Sequence, residues 1–279
     1  MKRKRIKKKS LLILIILIIG LVFVLNSCFH KSSKDIKLNK LGNVDKEVSY
    51  FKYAYLDRYI DYKNKHKSLS NKDIVMEVNI GIDHKYYTHT KKSINSNTPV
   101  VLVNKYNYLG SNYIPKNLKN INLKYSRRGM KLVNYAKTAF EDMAKAAAKK
   151  KYSIVAMSSY RGYKYQVNLY EKYKKRDGKD AADKYSARPG FSEHQTGLAV
   201  DVYNGKIDFN NFEKTKEFKW MQKNAYKYGF ILRFPKDKEK LTGYQYESWH
   251  YRYVGKKIAK YIHDHNLSLE EYYVKKIED

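Results

Sequence analysis

The chain is poor in the residues that characterise disulfide-rich and linker-rich proteins. Among its 279 residues there is one cysteine, Cys28, so an intrachain disulfide is excluded. Four prolines and thirteen glycines are too few for a long flexible linker region. The hydrophobic content of 43% and the aromatic content of 15% exclude a disordered protein and are sufficient for a globular one with a substantial core.

Acidic side chains are scarce as well. The chain has 27 Asp and Glu against 58 Lys and Arg, which gives a formal net charge of +31. Such an excess is typical of proteins that meet an anionic polymer, such as nucleic acid or a cell wall, and it also arises from solvated surface lysines. Because the lysines are spread along the chain without a compact arginine-rich stripe, we expect no nucleic-acid partner and a non-specific attraction to anionic wall polymers.

No apolar run is long enough for a full transmembrane helix, which needs about 20 residues. The longest run covers 11–25; it follows a basic block at 2–9 and precedes Cys28. This order is typical of an export signal. The lone cysteine after Leu-Asn-Ser resembles a bacterial lipobox, in which the thiol is acylated, but Asn26 is atypical there and an uncleaved anchor helix is the alternative. In both cases we expect the chain beyond residue 30 to lie on the outer face of the cell membrane.

Four segments are predicted along the chain. They are a signal or anchor at 1–27, a polar tether at 28–47, a helical appendage at 48–96 and a catalytic domain at 97–279. In the appendage, aromatic residues recur at helical spacing over 48–62, a pattern that is more often packing surface than a sugar platform. A second helix is predicted over 69–81, with Ser70 as its N-cap and Gly81 as its stop.

Helices and strands are mixed in the remaining sequence. Apolar patterns predict strands at 99–104, 152–158, 197–203 and 230–234, and helices at 128–150, 163–175, 212–228 and 254–265. These elements show no regular alternation of strand and helix. We therefore predict an α+β fold, a small mixed or antiparallel sheet with flanking helices.

Two short motifs concentrate the residue types that bind metals. The first reads Ser-Glu-His-Gln-Thr-Gly-Leu-Ala-Val-Asp at 192–201, and the second reads Glu-Ser-Trp-His at 247–250. Together they provide two imidazoles, a carboxylate and a second carboxylate that could act as a base, which is the inventory of a catalytic zinc site. On a strand, Asp201 would face away from the apolar Val200 and Val202, and a buried carboxylate there needs a partner.

Simpler interpretations of the same residues remain open at this point. Asp201 could pair with an arginine, and His250 could be a satisfied core histidine between its aromatic neighbours. In a straight strand Glu247 and His250 would point to opposite faces, so a shared site requires a bend between them. Gly197 would permit the tight loop that returns His194 towards Asp201. Of the other histidines, His263 and His265 are expected to be exposed on a helix, and His84 and His89 are given no role.

The motifs resemble those of the zinc carboxypeptidases of the VanY type, which remove the terminal D-alanine of peptidoglycan stem peptides. The similarity runs from about 100 to 255 and includes Ser-Ser-Tyr-Arg at 158–161, Ser-Ala-Arg-Pro-Gly at 186–190 and Tyr-Arg-Tyr-Val-Gly at 251–255. The family usually has Gly where this chain has Ser159. The resemblance implies that one zinc ion is bound by His194, Asp201 and His250.

The resemblance also implies roles for residues around the metal. Glu247 would be the general base, and Arg161 would stabilise the oxyanion or hold the substrate carboxylate. Ser192 and Gln166 would donate or accept hydrogen bonds to the substrate. Alternatives are a surface charge for Arg161, and, for the whole chain, a zinc endopeptidase that cuts wall crosslinks or a non-catalytic wall-binding lipoprotein. D,D and L,D specificity are not distinguished.

The N-terminal pattern leads to a test of location. We predict that Cys28→Ser leaves a protein without lipid, measured by mass spectrometry of the full chain extracted from membranes. If the N-terminus is instead an uncleaved anchor helix, the mass of the protein should change only by the substitution itself. Protease added to intact cells should digest the catalytic domain of both proteins. Protection of the domain until the cells are lysed would contradict the outer location.

Overall fold

The computed structural model describes residues 13–22 and 33–277. The chain divides into two compact units, Met1–Asn79 and Ile80–Asp279. Within the described ranges, no helix is both long and apolar enough to cross a membrane. The basic block at 2–9 and Cys28 lie outside the described residues, so the export signal and the acylation of Cys28 stay predictions.

The first unit is helical. Its elements are α1 (13–22), α2 (33–40), two 3-10 helices at Val44–Lys46 and Tyr53–Tyr55, α3 (Leu56–Lys65) and α4 (Asn71–Ile80). Tyr59 and Tyr62 of α3 are buried, and their hydroxyls donate hydrogen bonds to the side chains of Asn79 (2.7 Å) and Glu77 (2.6 Å) in α4. The predicted aromatic stripe is therefore packing surface. The predicted N-cap is confirmed, because Ser70 Oγ accepts a hydrogen bond from the backbone three residues later.

Eight strands lie in the second unit. They are β1 (Lys91–Lys92), β2 (Asn107–Tyr108), β3 (Leu118–Asn120), β4 (Lys131–Val133), β5 (Val155–Ser158), β6 (Ala199–Tyr203), β7 (Phe230–Leu232) and β8 (His250–Tyr253). The main sheet is antiparallel and has the order β5–β6–β8–β7, while β1–β2 and β3–β4 form two small separate sheets. Sheets and helices are mixed as predicted, and the α+β class is confirmed.

The helices of this unit differ from the predicted ones at three places. They are α5 (Asn134–Ala148), α6 (Tyr163–Asp177), α7 (Lys179–Tyr185), α8 (Lys216–Asn224), α9 (Glu239–Thr242), α10 (Lys256–Asp264) and α11 (Leu269–Lys276). The helix predicted from residue 128 begins only at Asn134, because 131–133 pair with β3 as β4. The helix predicted over 212–228 is α-helical only in α8, with 3-10 turns on both sides. The helices α7, α9 and α11 were not predicted, although α11 begins with a capping box of Ser268 and Glu271.

The main core lies between the sheet and α5. Phe140 and Met143 of α5 are fully buried against Val200 and Val202 of β6, as the three- and four-residue spacing of apolar residues in α5 predicts. Each such side chain contributes about 1.5–3 kcal/mol when it leaves water. Because side chains alternate along a strand, Asp201 projects from the face of the sheet opposite to α5. The core thus fixes which face of the sheet carries the polar residues of β6.

The strand predicted at 99–104 is wrong. The segment is buried, with Val101 and Val103 almost inaccessible, but it joins no sheet. The carbonyl oxygens of Pro99 and Val101 accept hydrogen bonds from the guanidinium of Arg252 instead, at 3.1 and 2.6 Å. The β-branched residues of this segment reflect burial, and an arginine side chain satisfies the backbone where a neighbouring strand would otherwise do so.

Residues 80–96 form part of the second unit. Their strand β1 pairs with β2, and the ring of Tyr87 packs edge-on against Phe191, with its centroid 5.0 Å away. The guanidinium of Arg188 lies 3.9 Å from the Tyr87 ring centroid on the other side. The domain limits inferred from the sequence, with the catalytic domain beginning at 97, stay predictions.

The backbone at Gly197 leads to a stability prediction. Gly197 has a φ of +68°, and an added Cβ would lie 2.9 Å from Leu118 and 3.1 Å from Val133. We expect Gly197→Ala to lower the free energy of unfolding by about 2–4 kcal/mol, from the left-handed backbone and the overpacking together. Gly129 has a φ of +85° with nothing within 4 Å of its added Cβ, so Gly129→Ala should cost only about 1–2 kcal/mol. The free energy of unfolding of both variants is measured by urea denaturation. Equal losses of it in Gly197→Ala and Gly129→Ala would contradict the steric argument.

Candidate metal centre and active site

Two neighbouring strands bring the first pair of candidate ligands together. His250 is the first residue of β8 and is the antiparallel partner of Asp201 in β6. Directly opposed residues project from the same face of a sheet, so both side chains lie on the face that α5 leaves uncovered. Strand pairing alone therefore joins two motifs that are far apart in the sequence.

The third candidate, His194, approaches from a 3-10 turn at Glu193–Thr196. Gly197 ends that turn in a left-handed conformation, as its predicted role requires, and the chain then enters β6. His194 Nδ1 donates a hydrogen bond to the carbonyl oxygen of Ser159, at 2.6 Å. This bond leaves the lone pair of His194 Nε2 directed at Asp201, where Nε2 and Oδ2 are 3.3 Å apart.

The three side chains form a compact buried group. One ligand atom from each of His194, Asp201 and His250 lies within 4.8 Å of the others, and all three residues are buried. Asp201 Oδ1 lies 3.0 Å from His250 Nδ1, without the alignment of a hydrogen bond. The two imidazole rings are perpendicular, with centroids 4.9 Å apart. Two nitrogens and a carboxylate that converge in this way are suited to hold a cation.

The electrostatics of the group favour a cation as well. Burial and the charge of Arg161 lower the pKa of His194 to about 4, so its imidazole is neutral and its lone pair is available. Burial alone would raise the pKa of Asp201, but its contacts with His194 and His250 hold it well below the usual range. Burial would lower the pKa of His250, yet the carboxylates of Asp201, Glu193 and Glu247 raise it to about 9. Positive charge is thus stabilised at this position.

The residues present fit a zinc ion. In the described part of the chain, His194 Nε2 and Asp201 Oδ1 are buried polar atoms without a hydrogen-bond partner, which is a costly arrangement unless a ligand completes it. Two imidazole nitrogens and one carboxylate oxygen form a ligand set typical of catalytic zinc, with a further position for water. The same three residues were the predicted ligands.

Glu247 reaches the same group through a bend in the chain. It precedes β8, and the backbone N–H of His250 donates to the Glu247 carbonyl oxygen in a turn. The bend that the two residues require is therefore present. Glu247 Oε2 lies 3.6 Å from His250 Nδ1, and burial raises the pKa of this carboxyl to about 7. A carboxylate with such a pKa is suited to accept and return a proton near neutral pH.

A cavity of about 540 Å³ opens over the group. The candidate ligands and Glu247 line it, together with the other predicted site residues, Arg161, Gln166 and Ser192. Gln166 Nε2 donates to the carbonyl oxygen of Ala187 (2.7 Å), whereas its Oε1 and the Nε of Arg161 have no hydrogen-bond partner among residues 13–22 and 33–277. Both residues thus bring polar side chains to the wall of the cavity.

The serine that replaces the usual glycine of the family is accommodated. Ser159 is buried, and its Oγ accepts a hydrogen bond from the backbone N–H of Lys131 at 2.8 Å. Its carbonyl oxygen still receives the Nδ1–H of His194. The substitution therefore adds a contact to β4 and leaves the orientation of His194 unchanged.

Sequence reasoning missed a buried group of charges behind the metal centre. Glu193 Oε1 accepts hydrogen bonds from Arg233 and Arg252, both at 2.7 Å, and Arg233 also makes a bidentate pair with Glu270. All four residues are at most 4% exposed. A signal was present, because Arg233 interrupts the apolar run 230–234 and a charge in such a run needs a buried partner.

The other histidines that the structure describes lie outside the lining of this cavity. His263 and His265 are exposed as predicted, and their rings stack on Tyr226 and Tyr261, respectively. His84 and His89, which had no predicted role, stack on each other with centroids 4.0 Å apart.

The sequence similarity of the chain agrees with this geometry. The profile of the family described as VanY: D-alanyl-D-alanine carboxypeptidase matches residues 129–256. The putative carboxypeptidase YodJ of Bacillus subtilis (strain 168) is 40% identical over 223 residues, which cover 75% of this chain and 82% of that protein. The chain belongs to the VanY family. The predicted resemblance is confirmed.

Solved structures of the family show the same fold. The LdcB LD-carboxypeptidase is 40% identical, with a TM-score of 0.64, over 68% of this chain and 92% of that one. A vancomycin-resistance D,D-pentapeptidase VanY, solved in complex with Zn(II), is 33% identical, with a TM-score of 0.53, over 62% of this chain and 98% of that one. Carboxypeptidases of this family thus share the architecture described above.

The geometry of the VanY-type centre predicts how metal binding responds to mutation. We expect the purified full chain to contain about one zinc ion, and His194→Ala to lose it, because two ligands remain of the three that a catalytic zinc requires. His263→Ala is the matched control, since that ring is exposed and stacks on Tyr226 away from the cavity. Metal content measured by atomic emission spectroscopy tests this. Equal zinc in all three proteins would exclude His194 as a ligand.

Proposed function

We propose that this VanY-family enzyme is a zinc-dependent carboxypeptidase that removes the terminal D-alanine from peptidoglycan stem peptides. The observation that carries the proposal is the convergence of His194, Asp201 and His250 beside Glu247 in one cavity. Support also comes from relatives described as D-alanyl-D-alanine carboxypeptidases, one of them from Enterococcus faecium at 40% identity over 134 residues. That protein is longer, and the match covers 41% of it.

The metal site defines the chemistry. His194, Asp201 and His250 would hold the zinc ion, which would supply Lewis-acid chemistry by acidifying a water and polarising a carbonyl group. Glu247 accepts the proton of the attacking water, since its carboxylate borders the metal position and its pKa lies near 7. The same carboxyl group then returns the proton to the departing amine of D-alanine. Peptide-bond hydrolysis is balanced by these two transfers.

Arg161 supplies the positive charge that the substrate needs. Its side chain lines the cavity, and its backbone N–H donates to the carbonyl oxygen of His194 at 3.1 Å, which fixes the arginine next to the metal centre. From there the guanidinium pairs with the terminal carboxylate of the substrate or with the oxygen that becomes negative during attack. Ser192 and the free Oε1 of Gln166 bind the peptide backbone by hydrogen bonds.

The tetrapeptide stem, which requires L,D specificity, is the first candidate substrate. The identity to the LdcB LD-carboxypeptidase is 40% across 68% of this chain. The identity to the Enterococcus faecium D-alanyl-D-alanine carboxypeptidase is also 40% but extends across 48% of this chain, and the identity to VanYB, solved in complex with D-alanine-D-alanine, is 31%. The wider match to the LD-carboxypeptidase supports this order. A pentapeptide stem is the second candidate and requires D,D specificity.

We further propose that the enzyme acts at the outer face of the cell membrane, held there by acylated Cys28 or by an N-terminal helix. The basic start, the apolar run at 11–25 and the position of Cys28 support this location. The substrate of the proposed reaction lies in the same compartment. The chain after residue 27 has 51 Lys and Arg against 27 Asp and Glu, and this net charge of +24 would add a salt-sensitive attraction to anionic wall polymers.

Substitution of the proposed base tests the reaction. Incubation of the full chain with tetrapeptide and pentapeptide stems should release one D-alanine, detected by mass spectrometry, with faster cleavage of the tetrapeptide. Glu247→Gln should lower kcat by about 10²–10⁴-fold, because an amide does not accept the proton. The variant should retain the zinc content of the natural protein. Normal turnover by Glu247→Gln, or release of crosslinked fragments in place of D-alanine, would contradict the proposal.

A further inference from the structure

Glu193 lies beside the metal centre and lines the same cavity, and one of its oxygens is bound by cations. Its Oε1 accepts hydrogen bonds from Arg233 Nε and Arg252 Nη1, each at 2.7 Å. Its other oxygen, Oε2, is buried and makes no hydrogen bond with any residue that the structure describes. Nε2 of His250 lies 3.6 Å from this oxygen. That nitrogen is buried and unpaired too within the described chain.

The two nitrogens of His250 therefore face different groups. Nδ1 lies 3.0 Å from Asp201 Oδ1 and 3.6 Å from Glu247 Oε2. Nε2 lies 3.6 Å from Glu193 Oε2. A neutral imidazole has one N–H and one lone pair, so the nitrogen that binds a metal is fixed by where the proton resides.

We propose that Glu193 is a positioning residue that accepts the Nε2 proton of His250 and so keeps the lone pair of Nδ1 directed at the metal. This proposal rests on the metal site proposed above. Metal-binding histidines commonly donate their second N–H to a carboxylate or a backbone carbonyl, which fixes the ring and its tautomer. His194 follows the second pattern, since its Nδ1–H donates to Ser159. The two histidines thus bind through opposite nitrogens.

The arginines keep Glu193 suited to this role. Two guanidinium groups donate to its Oε1, which is the arrangement of an ionised carboxylate that acts as an acceptor. Arg233 is itself held by Glu270 through two hydrogen bonds of 2.9 and 2.6 Å. Because Oε1 is occupied by two donors, the direction of Oε2 towards His250 is fixed.

Glu193→Gln should place a hydrogen-bond donor, in place of an acceptor, opposite His250 Nε2. Two arginines require an acceptor at the Oε1 position, so the amide oxygen lies there and the amide N–H₂ faces His250. That group donates to Nε2 and stabilises the tautomer with the proton on Nδ1, which cannot bind a metal. We expect the zinc affinity to fall by about 10–100-fold, the usual effect of losing such a supporting contact.

Glu270→Gln is the matched control. It removes a negative charge from the same buried group and weakens the pair with Arg233, but it does not contact His250. Zinc dissociation constants would be measured for the natural full chain and both variants by competition with a chromophoric chelator, with folding checked by circular dichroism. Weakened zinc binding by Glu193→Gln, with affinity of Glu270→Gln within about 3-fold of the natural protein, supports the proposal.

Three outcomes overturn it. Equal loss of affinity in both variants would make the effect structural, and unchanged affinity of Glu193→Gln would show that Glu193 does not hold the ring. If the natural chain binds no zinc, the metal site fails and the role of Glu193 fails with it. The first two outcomes leave the proposed metal site intact. Failure of the role of Glu193 is therefore distinguishable from failure of the metal site.

A measurement on the natural protein applies even where Glu193→Gln does not fold. In the full chain labelled with ¹⁵N-histidine and loaded with ¹¹³Cd, scalar coupling between metal and nitrogen identifies the ligand atom of each ring. We expect coupling to Nε2 of one histidine and to Nδ1 of the other, with a slowly exchanging proton on the remaining nitrogen of each ring. Coupling to Nε2 in both rings would overturn the proposal.

Discussion

The antiparallel pairing of β6 with β8 is the constraint on which the rest of the site depends. It places Asp201 opposite His250 by backbone hydrogen bonds alone, on the face of the sheet that α5 does not cover. The 3-10 turn before β6 then needs only one left-handed residue, Gly197, to return His194 to its neighbours. Because strand register is fixed by the apolar face, a shift by one residue would bury Asp201 in the core and turn its neighbours outwards.

Burial of so many charges at one place is stable only because the charges are matched. Glu193, Arg233, Arg252 and Glu270 balance one another, and each has close partners of opposite sign. Removing one member of a buried group of this kind typically costs about 3–5 kcal/mol, whereas the intact group is nearly neutral in stability. A contribution to folding therefore does not account for the group, whereas the positioning role proposed for Glu193 gives it a function.

More of the candidate site than of the surrounding fold could be predicted from the sequence. Its residues lie in two short motifs. Because His and Asp are common zinc ligands, the sequence alone identifies them as candidates. The strand predicted at 99–104 failed because β-branched residues reveal burial and cannot reveal that Arg252 satisfies their backbone. The predicted start of α5 was wrong because the helical spacing of apolar residues continues through 131–133, which pair with β3 as β4. The partnership of Arg233 with Glu270 joins residues distant in sequence, and only the folded chain brings them together.

The place of Glu270 in the chain ties the charge balance of the core to the order in which the fold is completed. This residue lies on α11, the last helix described, after every candidate ligand in the sequence. Until α11 docks, Arg233 and Arg252 share the single carboxylate of Glu193, and one positive charge of the buried group is uncompensated. The last helix therefore completes the electrostatic balance that lets both arginines be buried.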